Sequence, residues 1–184
     1  MARLIQIENS CSVPVAAGLE AQALAGLAEA LGPLFAERGE PDRSGLYIAS
    51  NNAGAASSLA FWRHAQQVGV GLASPELFPY CLANAPCGFL ARHFTIKGPS
   101  VTYTGRSEAL SAALEHARVD LETARIDLAF ALIIHFGESE AAGGCTALRL
   151  TNDPKHTRFN IDLDHLELDN NLQTAAAHLA QPNF

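Results

Sequence analysis

Three features of the sequence predict a layered α/β fold. Apolar residues recur at helical spacing over two long stretches, 24–35 and 110–121. Nearly unbroken apolar runs at 45–50 and 127–135 have the pattern of strands covered on both faces. The two patterns alternate along the chain, which is how helices come to lie on a sheet.

Taken in order, Leu4, Ile5, Gln6 and Ile7 form a first strand. A helix follows from Gly18, with Leu24, Leu27, Ala28, Leu31, Leu34 and Phe35 on one face, and Gly39 and Pro41 end it. The strand at 45–50 leads through an Asn51-Asn52-Ala53-Gly54 turn into a second helix with Leu59, Trp62 and Ala65 directed inward. Ser74-Pro75 is a helix opening, since proline suits a first turn, and Pro86 and Gly88 then disturb that helix. Val101, Thr102, Tyr103 and Thr104 make a short strand. Ser107 caps the next helix, whose stripe is Leu110, Ala113, Leu114, Ala117 and Leu121. The apolar strand 127–135 and a strand at 145–150 come next, with a loop expected at 140–144. Alternation of Phe159, Ile161 and Leu163 with Asn160 and Asp162 predicts an edge strand, and the residues through Ala180 a short helix.

The 184 residues fit one domain with a sizeable core, and 151–184 is either a tail or a set of edge elements. A hydrophobic share of 48% against 17% charged residues implies a surface partly covered by a partner. A net charge of −7, with no three adjacent basic residues, argues against nucleic acid, whose binding needs Lys/Arg clusters. The longest apolar run, 128–134, is too short to cross a bilayer. Four cysteines without a secretory leader point to a reduced, cytoplasmic setting. No metal or other cofactor is expected: there is no C-x₂-C pair, and Cys81, Cys87 and His93 do not match zinc spacings. Ala142-Gly143-Gly144 lacks the Gly-Lys-Ser/Thr ending of a phosphate loop.

Four groups of residues invite a functional reading. Cys87 and His93 could pair as thiol and imidazole, although six residues apart they share a helical face poorly, and a free Cys is more often a small core hydrophobe. His135 closes an apolar strand, a place where open α/β sheets often carry function. Gly105-Arg106-Ser107 is either an anion site at a helix N-terminus or a turn with an ordinary cap. Leu77 and Phe78 are either core or the wall of an apolar pocket.

The segment 74–110 also carries a resemblance. Ser74-Pro75, Phe78-Pro79, Asn84, Gly88 and Gly98-Pro99-Ser100 resemble the run before the catalytic cysteine of β-ketoacyl-acyl carrier protein synthases. The likeness extends over roughly the N-terminal half of such an enzyme and implies a thiolase-like layered α/β fold, truncated to about one half. The family places its nucleophilic Cys at the end of the strand, where a helix dipole stabilises the thiolate. Here that place falls at Gly105 and Arg106, and the family's two histidines have no counterpart. The resemblance therefore implies a chain silent in decarboxylative condensation, which needs a thiolate and donors for the enolate.

Such a chain looks like a chain-length-factor subunit. It is expected to pair with a complete ketosynthase in type II polyketide, aryl-polyene or fatty acid biosynthesis. The resemblance places the pairing edge at Val101, Thr102, Tyr103 and Thr104, so that a charge at Tyr103 should split the pair. It also implies that Leu77, Phe78 and Asn84 shape the acyl pocket, and that acyl carrier protein docks mainly on the partner. Two other functions compete: a small acyltransferase or thioesterase using Cys87 or Cys81, and a homodimeric protein that holds an acyl chain or an acyl carrier protein.

Overall fold

The computed structural model describes residues 4–36, 39–137, 143–155, 157 and 159–162. Among the described residues six strands form one mixed sheet. They are β1 (Leu4–Val15), β2 (Ser44–Ser50), β3 (Ser100–Thr104), β4 (Leu128–His135), β5 (Gly143–Thr151) and β6 (Phe159–Asp162), in the order β3-β2-β4-β5-β1-β6. β2 pairs in parallel with β3 on one side and β4 on the other. β5 is antiparallel to both β4 and β1, and β6 is antiparallel to β1. The helices are α1 (Glu20–Phe35), α2 (Ala55–Val68), α3 (Ala85–His93) and α4 (Ser107–Glu122).

The periodicities set the layers. In β2 alternate residues point to opposite faces. Tyr47 and Ala49 join the α4 stripe of Leu110, Ala113, Leu114, Ala117 and Leu121. Leu46 and Ile48 join Leu24, Leu27, Leu31 and Phe35 of α1, with Cys87 and Leu90 of α3. β2 is buried along its whole length, and β4 up to His135, as strands covered on both faces must be. Phe35 is stacked between Phe94 and Phe130, with ring centroids 3.9 and 4.0 Å away, which locks the end of α1 onto β4 and the end of α3.

Several sequence expectations need correction. Leu59 and Trp62 are not inward: they are 48 and 58% exposed, and only Ser57 and Ala65 of α2 are buried. α2 lies away from the sheet, against the 3-10 turns Val70–Leu72 and Phe78–Cys81, so a helical stripe there does not become core. No α-helix opens at Ser74-Pro75; the chain makes turns and the Phe78–Cys81 segment before α3. Pro86 lies in the first turn of α3, where its missing N–H costs nothing, so it opens the helix it was expected to disturb. Ser107 is the first residue of α4; the N-cap is Arg106, with no side-chain cap bond of its own. Gly143 and Gly144 belong to β5, not to a loop. The first strand continues to Val15. Residues 140–142 of the expected loop, Leu163 and the helix through Ala180 lie outside the described residues.

Apolar surface does remain, but over α2 and its turns. Leu59, Trp62, Val70, Leu72, Phe78 and Leu82 are between 48 and 82% exposed. Glu76 is the only charged residue from 65 to 91. The outward side of α4 is polar by contrast: Arg118 pairs with Glu115 at 2.8 Å and Glu122 at 2.5 Å. Among the described residues no helix is long and apolar enough to cross a membrane.

Candidate functional site

The carboxyl ends of the three parallel strands β2, β3 and β4 lie side by side, with Ser50 in register with Thr104 and with Ile134. In open α/β sheets this is where ligands and catalytic groups gather. Gly105 follows β3 and donates its N–H to Ser50 O at 3.1 Å, delivering the chain into α4. Its φ of +152° is one that L side chains rarely adopt, and a Cβ there would sit 3.0 Å from Glu108 Oε1. Glu108 folds back over the helix start. Its carboxylate accepts the backbone N–H groups of Arg106 and of Glu108 itself, which hold the carboxyl below its ordinary range. The positive end of α4 is thus already matched by an internal anion. Gly105-Arg106-Ser107 is thus a turn whose helix end is met by Glu108 and not by a side-chain cap from Arg106.

Asn51, Asn52 and His135 complete this end of the sheet. His135 Nδ1 lies 3.0 Å from Asn51 Oδ1. Asn52 donates its amide to Phe136 O at 2.8 Å and accepts the Phe136 N–H at 3.0 Å. An Asn-Asn pair directly after a buried strand was the available signal, and a turn reading absorbed it.

The other site residues are separate. Leu77 is half-buried and its carbonyl accepts the Cys81 thiol at 3.4 Å. Phe78 is exposed, with its ring 5.8 Å from that of Phe61. Gly54, at φ +80°, approaches so closely that a Cβ would lie 2.7 Å from Cys81 O, which seats the Phe78–Cys81 turn on the start of α2. Asn84 is the exposed N-cap of α3 and makes no side-chain cap bond.

β3 is an edge strand, with β2 on one side and no further strand among the described residues on the other. Leu46 donates its N–H to Pro99 O at 2.8 Å, and Gly105 donates to Ser50 O. In a parallel ladder each residue points both backbone groups to one side, and the side alternates. Val101 and Tyr103 therefore face β2, while the N–H groups of Thr102 and Thr104 point out at the free edge. The Tyr103 side chain packs toward α4, and its hydroxyl lies 2.8 Å from His116 Nδ1. Thr102 turns to the opposite face beside Cys87.

All four cysteines are free. Cys87 is buried in the α3 layer, which pushes its thiol up to about 11. Burial raises Cys145 further, and Cys11 as well. A nucleophile needs the opposite shift. His93 is exposed and stacks on Phe89, so it does not serve Cys87. Iodoacetamide near neutral pH is therefore expected to modify the half-buried Cys81 first, and Cys87 and Cys145 only as the protein unfolds. A mass-spectrometric time course checks this, and early labelling of Cys87 would contradict it. Among the described residues no group of three or more His, Cys, Asp and Glu side chains is placed to hold a metal.

No family model and no curated protein matches the chain. Solved structures do. The chain is similar to the ishigamide ketosynthase/chain length factor, at 16% identity and TM-score 0.57, over 62% of this chain and 37% of that one. It is similar to the type II PKS ketosynthase AntDE, solved with its acyl-carrier protein AntF and bound to the hexaketide, at 16% identity and TM-score 0.60, over 73% and 43%. A ketosynthase from module 1 of the bacillaene synthase of Bacillus amyloliquefaciens FZB42 matches at 11% identity and TM-score 0.51, over 72% and 28%. The fold is thus the thiolase-like layered α/β fold of the ketosynthases. The chain spans less than half the length of each of these neighbours.

Proposed function

We propose that this chain is a non-catalytic, chain-length-factor-type subunit that pairs with a complete ketosynthase through β3 and helps to shape its acyl pocket. One observation carries the reading. On a ketosynthase fold, the strand-to-helix turn that in the family presents the nucleophile is here Gly105 in a backbone conformation hostile to a side chain, with Glu108 neutralising the helix end. At Gly105 a thiolate has no Cβ position, Arg106 stands at the other candidate position, and the helix dipole is already occupied.

The free edge of β3 supplies backbone donors for a partner strand. The exposed Phe78, its ring near that of Phe61, together with the exposed Trp62 and Leu59 and the half-buried Leu77 offers the apolar, charge-poor surface typical of an interface core. Leu77, Phe78 and Asn84 would then reach the partner's acyl chain. The acyl carrier protein docks on the partner, since this chain carries −7 and carriers are acidic. The pathway is type II polyketide, aryl-polyene or fatty acid synthesis.

Co-expression with a complete ketosynthase from the same gene neighbourhood is the test. The expected result is a stoichiometric heterodimer, with condensation of malonyl thioesters by the pair and none by this chain alone. Absence of a complex, formation of a homodimer only, or carbon–carbon bond formation by the chain by itself would overturn the proposal.

A further inference from the structure

We propose that Tyr103, His116 and Asp120 form an acyl-accepting site, in which the Tyr103 phenol attacks activated acyl esters and thioesters. This goes beyond the pairing role and requires only the chain itself. Between α4 and the sheet the packing is otherwise apolar, made by Ala109, Leu110, Ala113, Leu114, Ala117 and Leu121. One polar chain crosses it. Tyr47 Oη donates to Asp120 Oδ2 at 2.6 Å, and His116 Nε2 lies 3.4 Å from the same oxygen. Arg125 Nη1 lies 3.3 Å from Asp120 Oδ1, and His116 Nδ1 lies 2.8 Å from Tyr103 Oη.

The arrangement has the three parts of an activated nucleophile: a hydroxyl, a base within hydrogen-bond reach, and a carboxylate that orients the base. Asp120 is 4% exposed, and as an acceptor it favours the tautomer with hydrogen on Nε2. That leaves the Nδ1 lone pair facing the Tyr103 hydroxyl. Tyr47 is fully buried, and burial with the bond to Asp120 pushes its phenol well above the ordinary value, so it stays a donor and does not compete as a nucleophile. The chain also has a direction. Tyr47 and Asp120 are inside, His116 has a 30% exposed side chain, and Tyr103 is half-buried on the edge strand. Apolar groups would fill this layer at no desolvation cost; the polar set runs outward and ends on a hydroxyl near solvent.

The step balances. Tyr103 Oη forms a bond to the acyl carbonyl carbon while His116 Nδ1 takes the phenolic proton. The carbon–sulfur or carbon–oxygen bond to the leaving group breaks, and His116 returns the proton to the departing thiolate or alkoxide. The products are an acyl ester on Tyr103 and a free thiol or alcohol, with no change of oxidation state. His116 is the base, and Asp120 is a positioning residue.

The test treats the full chain with p-nitrophenyl acetate and with S-acetyl-N-acetylcysteamine, and locates acetyl groups by tandem mass spectrometry. Tyr80, half-buried as well, is the internal reference. Acetylation of Tyr103 is expected to be about 100-fold faster than of Tyr80, and His116→Gln should remove about that factor. The variant removes only the imidazole ring. The charged and titratable groups facing that ring are Tyr47 from β2, Tyr103 from β3, Asp120 within α4 and Arg125 just beyond it. A merely structural hydrogen bond would leave Tyr103 with the acetylation rate of Tyr80. Equal rates at the two tyrosines in the unmodified protein overturn the proposal without any variant, as does a folded His116→Gln protein that acetylates at the original rate.

Discussion

If the chain pairs through β3 as proposed, replacing Thr104 by proline is expected to dissociate it from the ketosynthase while leaving its fold intact. The Thr104 N–H points out at the free edge of β3, so the pyrrolidine ring removes no bond to β2. The Thr104 side chain is exposed, so no packing is lost. A partner strand would lose one backbone hydrogen bond and meet the ring where it must approach closely. Together these should cost about 2–3 kcal/mol of binding, or roughly 30- to 150-fold in Kd. Thr104→Val keeps the N–H and should pair normally. Calorimetric titration of both variants against the ketosynthase decides the matter, and equal affinities would place the interface elsewhere. Tyr103→Asp, the substitution that the sequence invites, is a poorer probe. It would break the bond to His116 within the chain before it touched any partner.

Glu20→Ala is expected to have the largest effect on stability. Glu20 is fully buried at the start of α1, and its carboxylate accepts the backbone N–H groups of Ala56 and Ser57, at 3.2 and 2.9 Å, together with the Ser57 hydroxyl. Gly54, the N-cap of α2, has no side chain to perform this task. A residue thirty-six positions upstream of Ala56 thus caps the helix. Removing it strands three donors in a buried site, a loss of about 3 kcal/mol after relaxation. For a chain of this size that corresponds to a fall of about 10 °C in melting temperature. Glu20→Gln retains one acceptor and should lose about a third as much. A thermal melt of the alanine variant that matches the parent would mean that water or another side chain replaces the cap. Because α2 also carries Leu59 and Trp62, loosening its start should weaken the proposed pairing as well.

The layers were legible because their signals are local. The stripes of α1 and α4 and the apolar runs of β2 and β4 each state which faces are covered, and every named stripe residue of α1 and α4 is buried. The stripe of Leu59 and Trp62 misled because periodicity reports a face without saying whether anything stands opposite it; among the described residues α2 packs mainly on two short turns. Pro86 misled for a related reason, since proline signals a helix start and a helix break by the same loss of an N–H, and position alone decides. The candidate site was half legible. That Gly105 and Arg106, and no cysteine, precede α4 could be read from the sequence, whereas the Glu108 carboxylate folded over the helix start and the φ of Gly105 could not.

The residue order by itself determined the alternation of helix and strand, because hydrophobic period is a property of neighbours along the chain. It also determined that no cysteine stands at the mouth of α4. Tertiary structure alone decided which polar groups meet. Glu20 with Ser57, His135 with Asn51, and Tyr47 with Asp120 are separated by 37, 84 and 73 residues. A hydrogen bond carries no signature in sequence until the fold has brought its two ends within about 3 Å.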